Sequence, residues 1–452
     1  MFKHFIAFSA ALLLLMSGSM AGAERSAAFG TVADIHFDPF TTCADQSPCS
    51  LIQKLEAAPV AEWEQILTAI DKDAPAYKQD TNFTLLASTL TALQNAATKA
   101  QAKFVIIQGD VLGHHNKEKY QKFSTLKTDT GYQAFVQKTM TFLADQFKDK
   151  FPTTEVYFAL GNNDSNLGDN ISEPEGPFFS DMGNLWGQLI HNETNRKAMQ
   201  ESFKHAGYYA VRESSFFLIV MNTNLFSKNS TAPADAPNKE LVWFEQQLEI
   251  AHQQNLQVLL VMHIPAGIDS FASLKQNPYQ IIEMWLPEYT QRFKADVEEY
   301  AQNINGILTA HTHSDSFQVL TNRNGNKIPV GGTPGITPIN GNNPGFKIYH
   351  FDPTTLVLRD YQTFYLRLST MRWHKEYDFN NVYQTGCHDC TLVKGMELLA
   401  ISGKLADAYQ LYYDMQSNTD LIHNSYNPYY WCQLNTIIAK EYQNCINANI
   451  KL

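Results

Sequence analysis

Asp34-Ile35-His36-Phe37-Asp38-Pro39 closes an apolar, β-rich run, Ala27 to Ile35, and sets a carboxylate and an imidazole two residues apart where a strand gives way to a loop. The arrangement recurs along the chain. Gly109-Asp110 follows Phe104 to Gln108, and Gly161-Asn162-Asn163-Asp164 follows Val156 to Leu160. His263-Ile264-Pro265-Ala266-Gly267 follows Val258 to Met262, and Ala310-His311-Thr312-His313 follows Gly306 to Thr309. Phe216 to Asn222 and Phe346 to Phe351 are further strand candidates. Asn82 to Ala102, Tyr132 to Phe147, Lys239 to Gln253 and Glu288 to Asn303 carry apolar residues at helical spacing. Short strands alternating with longer helices from Ser26 to about Asp352 predict an α/β layered domain whose sites lie at the C-terminal ends of its strands.

The 452 residues, 44% hydrophobic and 17% charged, can bury a large core, which excludes a disordered or fibrous chain. Thirty-four basic against 45 acidic residues give a net charge of −11, spread along the chain, so no binding of a nucleic-acid duplex through a basic surface is expected. Lys3 and His4 precede the apolar run Phe5 to Met16, and the small residues Ala21-Gly22-Ala23 follow. Residues 1–23 therefore read as a signal peptide. With no later stretch of transmembrane length, the mature chain is expected to be exported without a membrane anchor, either secreted or periplasmic.

Export makes the six cysteines candidates for disulfides. Sequence alone does not choose among their pairings; the simplest expectation is local, Cys43 with Cys49, Cys387 with Cys390 and Cys432 with Cys445. Cys387-His388-Asp389-Cys390 could instead be a redox or zinc motif, although no second pair of soft ligands stands at finger-like spacing. After Asp352 a strand-like Leu356 to Leu366 leads into a Tyr-rich, helix-leaning tail with four of the cysteines, read as a disulfide-stapled subdomain over 356–452.

Any one of these histidines alone reads more readily as structural than as a ligand. The ordered set Asp34, His36, Asp110, Asn162, His263, His311 and His313 reverses that reading. Carboxylate, imidazole and amide oxygen together suit two divalent ions sharing a bridging carboxylate. Such a pair activates water and clamps phosphoryl oxygens for in-line attack.

The set resembles the calcineurin-like metallophosphoesterases, with their D-x-H, G-D, G-N-H-D/E, H and G-H-x-H pattern. Within them it is similar to the acid sphingomyelinase-like phosphodiesterases. Asp34 to Pro39 resembles their D-L-H-x-D-P opening, His263 to Gly267 their H-I-P-P-G, and Asn342-Asn343-Pro344-Gly345-Phe346 their N-N-P-G-F. The C-terminal cysteine layout is similar too. The resemblance implies a four-layer α/β/β/α sandwich over 24–355. It further implies one ion held by Asp34, His36 and His313, another by Asn162, His263 and His311, with Asp110 bridging and zinc as the expected metal.

Two residues depart from the pattern. Ala310 replaces the usual Gly, and Asn163 stands where a His would flank the scissile phosphate; an amide cannot supply a proton. The G-N-N-D variant resembles vacuolar endopolyphosphatases. His114, four residues after Asp110, is then the candidate acid for the leaving group, with His115 the weaker alternative. The expected function is an exported phosphodiesterase for small phosphodiesters, phosphoanhydrides, nucleotides or lipid head groups, with substrate choice in loops such as Ser165 to Asn184 and Phe226 to Pro237. Its alternatives are an endopolyphosphatase or phosphomonoesterase and, in another class, a non-catalytic metal-containing binding protein.

Overall fold

The computed structural model describes residues 26–43, 46–213, 216–384, 390–399, 403–417 and 427–449; the expected signal peptide lies outside them. Among these residues twelve strands form two six-stranded sheets. In chain order they are β1 (Ala27–Val32), β2 (Phe104–Ile107), β3 (Glu155–Phe158), β4 (Tyr209–Arg212), β5 (Phe216–Val220), β6 (Gln257–Val261), β7 (Ile304–Thr309), β8 (Phe317–Thr321), β9 (Lys327–Gly332), β10 (Gly345–Phe351), β11 (Leu358–Arg367) and β12 (Arg372–Asp378). The first sheet runs β12-β11-β10-β1-β2-β3 and the second β4-β5-β6-β7-β9-β8. The centre of each is parallel, β1 with β2 and β3 in one, β5 with β6 and β7 in the other.

The two sheets pack face to face because successive side chains of a strand point to opposite faces. Phe216, Leu218 and Val220 of β5 join Leu259 and Val261 of β6 in a core shared with Phe29 of β1 and Phe104 of β2. Their alternates, Phe217, Ile219, Val258 and Leu260, face a second core with Leu241, Phe244 and Leu248 of helix Ala236–Gln253 and Phe293 of helix Pro287–Glu299. Leu86, Leu90 and Leu93 of helix Phe83–Ala100 cover the outer face of the first sheet with helix Asp129–Lys150. The result is helices, sheet, sheet, helices. Asn82 starts helix Phe83–Ala100 by accepting a hydrogen bond from the Leu85 amide, and Thr128 does the same for helix Asp129–Lys150 through Gly131.

The sequence led to an expected unit boundary between 355 and 356. It falls in the turn joining β10 to β11, which pair antiparallel from Gly345↔Tyr365 to Phe351↔Leu358, and β12 pairs with β11 in turn. Residues 358–378 thus belong to the first sheet, because β10 has a free edge that the next strand satisfies. Beyond Asp378 the described segments are helical and dock on the second sheet, with Tyr383 and Tyr409 edge-on to Phe317 of β8. Disulfides join Cys43 to Cys49 (Cα–Cα 5.4 Å) and Cys432 to Cys445 (5.7 Å). Cys390 is also disulfide-bonded, and Cys387 lies outside the described residues. Among the described residues no helix is long and apolar enough to cross a membrane.

Candidate metal centre

The loops after β1 and β2 run side by side, with the Asp34 amide donating to the Gly109 carbonyl (3.0 Å) and the His36 amide to the Asp110 carbonyl (2.9 Å). The loop after β3 presses against them so tightly that a Cβ on Gly161 would stand 2.0 Å from Asp110 Oδ1. Only glycine fits there. Asp34, His36, Asp110, His311 and His313 all adopt positive φ, between 46° and 71°, a conformation costing side-chain-bearing residues roughly 1–3 kcal/mol each. Such strain persists where the surroundings over-determine the backbone, and here it turns the five side chains into one volume. Ala310 is not among the positive-φ residues, so its departure from glycine costs nothing in backbone freedom.

Asp110 lies in the middle. Its Oδ2 is 3.5 Å from His36 Nε2 and 3.2 Å from His263 Nε2. Asp34 Oδ1 is 4.0 Å from both of those nitrogens and 3.5 Å from His313 Nε2. Ligand atoms of Asp34, His36 and Asp110 fall within 4.8 Å of one another, and so do those of Asp110, His263 and His311. Asp110 therefore belongs to both groups. His36 Nδ1 contacts the Leu112 carbonyl (3.0 Å) and His263 Nδ1 the Gln108 carbonyl (2.7 Å), which puts a proton on each Nδ1 and turns each Nε2 inward. Asp34 Oδ1 and Asn162 Oδ1 are buried and have no hydrogen-bond partner. Orphaned acceptors are costly unless something cationic meets them. The donor set, its burial and these bare atoms fit a pair of divalent ions.

The electrostatics carry the same demand. Burial pushes the Asp34 carboxyl up to about 8, opposed by His263 and reinforced by the nearby Asp110 carboxylate. Burial would raise Asp110 as well, but the His263 imidazole overrides it and holds the group well below the carboxylate range. Burial lowers His36 to about 3 and His311 to about 4, leaving both neutral, the form in which imidazole ligates.

His114 stacks on His36 with ring centroids 3.8 Å apart. Its Nδ1 is 2.8 Å from Asp80 Oδ1, and its backbone amide donates to Asp80 Oδ2 (3.0 Å). Burial lowers the His114 imidazole, but the Asp80 carboxylate more than compensates and raises it above its ordinary value. Asp80 also accepts from Lys119 Nζ (3.1 Å) and Thr337 Oγ1 (3.2 Å). Lys119 in turn reaches Asp38. His115 is exposed beside Asp169, away from this cluster. Asn163 faces inward, its amide nitrogen donating to Asp110 Oδ2 (2.9 Å) and its backbone NH to Oδ1 (2.8 Å).

Sequence reasoning missed Asp80 and Asp164. Asp164 buckles two loops together, accepting from the Val111, Leu112 and Gly161 amides. Its place in Gly161-Asn162-Asn163-Asp164 was a usable signal. Asp80, alone in Lys78-Gln79-Asp80-Thr81, offered none.

The calcineurin-like phosphoesterase family model matches residues 29–315, a span that holds all seven candidate ligands. The chain is 25% identical over 463 residues to acid sphingomyelinase-like phosphodiesterase 3b of Mus musculus, covering 97% of this chain and 93% of that protein. It is 24% identical over 379 residues to the cyclic GMP-AMP phosphodiesterase SMPDL3A of Homo sapiens, covering 78% and 75%. With sphingomyelinase phosphodiesterase D of Dictyostelium discoideum it shares 26% over 397 residues, covering 83% and 82%. Phosphoesterases of this family work through a dinuclear metal centre, and the buried Asp and His cluster is able to bind metal. The chain belongs to the calcineurin-like phosphoesterases and is a metal-dependent phosphoric ester hydrolase.

Proposed function

We propose that the chain is an exported phosphodiesterase acting on small phosphodiesters, phosphoanhydrides or nucleotides, with two zinc ions. Asp110 Oδ2, set between the Nε2 atoms of His36 and His263, is the observation that carries this reading. Asp34, His36 and His313 would hold one ion and Asn162, His263 and His311 the other, with Asp110 reaching both. Bound there, the ions supply Lewis acidity and activate water. As the new P–O bond forms and the P–O bond to the leaving group breaks, His114 gives its proton to the departing oxygen, held in place by Asp80 through Nδ1. Asn163 orients Asp110 and supplies no proton.

Two cavities open beside the centre, one at His311 and one at Asn162, and neither is lined by lysine or arginine. That lining favours a substrate of low charge over a polyphosphate chain, which Asn163 keeps as the second reading. The similarity to proteins named as phosphodiesterases supports the same choice. A panel at acidic and neutral pH with added zinc tests it, using a chromogenic diester, a monoester, nucleoside triphosphates, a choline-bearing diester, sphingomyelin and polyphosphate. Diester turnover above monoester turnover is the expected result. Hydrolysis of polyphosphate or monoesters alone would overturn it, and two bound metals with no turnover on any ester would point to a binding protein.

A further inference from the structure

We infer that the C-terminal segment builds one wall of the substrate site, forming with the loop after His263 a subsite for an uncharged, partly apolar organic arm of the substrate; this rests on the phosphodiesterase reading above. The cavity at His311 is lined by Asp269 and Phe271 from the segment after His263 and by Tyr413, Tyr430 and Gln433 from the C-terminal segment. Of the loops expected to set substrate choice, 165–184 lines the other cavity, at Asn162, and neither it nor 226–237 lines this one.

The wall is held by specific contacts. Ser270 Oγ donates to Gln433 Oε1 (2.5 Å) and lies 3.3 Å from the Tyr442 hydroxyl. Ile437 packs on Gly267, where an added Cβ would stand 3.2 Å from Ile437 Cγ2. Tyr413 and Tyr430 meet edge to face at 5.3 Å. Cys432, between Tyr430 and Gln433, is bonded to Cys445 of helix Ala439–Asn449, which anchors the wall from behind.

The chemistry of the lining selects the arm. Asp269 is its one carboxylate, and Lys275 and Lys228 offset that charge from outside, the Lys275 ammonium 3.7 Å from the Phe271 ring centroid. A polyanionic chain meets no cation in the lining, and the Lys275 ammonium already covers the Phe271 face that a quaternary ammonium would use. Aromatic rings with neutral hydroxyl and amide groups such as Gln433 suit an uncharged group with a flat or apolar face.

The test uses the full chain with zinc and three diesters sharing a p-nitrophenolate leaving group, with methyl, thymidine and choline arms. Wild type should prefer the thymidine arm. Phe271→Ala, at a 41% exposed residue, and Cys445→Ser should each lower kcat/KM for the thymidine diester by about tenfold through KM, while the methyl diester changes less than about twofold. Equal losses on thymidine and methyl diesters would reduce the wall to scaffold and overturn the inference. A wild-type preference for the choline arm, or for methyl over thymidine, would also overturn it. A metal-loaded wild type inactive on all three would overturn the diesterase reading itself, and the inference with it.

Discussion

Replacing Asp110 by Asn removes the charge that both candidate metal groups share while keeping the side chain's shape. Asp110 Oδ2 stands 3.5 Å from one inward-facing imidazole and 3.2 Å from another, so this single substitution weakens both groups at once. A ligand bound to the native state alone, at about 100 times its Kd, adds roughly 2.7 kcal/mol per site. Two sites therefore add about 5 kcal/mol, which for a chain of this size raises Tm by roughly 5–10 °C. The assay is thermal unfolding with and without zinc, each protein referred to its own metal-free Tm, beside metal content and turnover. Wild type should show the full rise and Asp110→Asn less than half of it. Turnover should fall by about 10³-fold, as the loss of several kcal/mol of transition-state stabilisation requires. An unchanged metal-dependent rise, with turnover within tenfold of wild type, would refute the shared-carboxylate reasoning.

Three further outcomes rest on single residues. His114→Ala should lower kcat by about 10²-fold on diesters with poor leaving groups and far less on p-nitrophenyl esters, and Asp80→Asn should reproduce that split more weakly; an equal loss on both ester types would count against an acid role. Gly161→Ala forces a Cβ against Asp110, so it should cost a few kcal/mol in stability and sharply reduce zinc content, checked by denaturation and metal analysis. Burial raises the Asp360 carboxyl from 3.8 to about 6, opposed by hydrogen bonds from the Asn380 and Tyr361 amides. Because the folded value exceeds the unfolded one, its favourable contribution is complete below pH 3.8 and lost as pH rises to about 6. Asp360→Asn should remove that decline, and an unchanged stability-pH curve would show that the group is not perturbed.

The sequence by itself determined which side chains could serve as ligands and their order, because turn chemistry and strand-end polarity are local. It also determined the layered α/β class, whereas the Cys43–Cys49 and Cys432–Cys445 pairings, expected only as the simplest of several, were chosen by the fold. Strands buried on both faces, such as Phe104–Ile107, read as continuous apolar runs and were legible. β4, β8, β9 and β12 were not: Arg372–Asp378 is polar and buries a single residue, and only its pairing with β11 makes it a strand. Tertiary structure alone decided that residues 358–378 extend the first sheet. It alone set which imidazole nitrogen faces the centre, since the choice rests on carbonyls of Leu112 and Gln108, 76 and 155 residues away in sequence. It alone joined Asp80 to His114 and brought Tyr413, Tyr430 and Gln433 beside His311. Periodicity and turns are written over a few residues, whereas a hydrogen-bond partner or a cavity wall exists only once distant segments have packed.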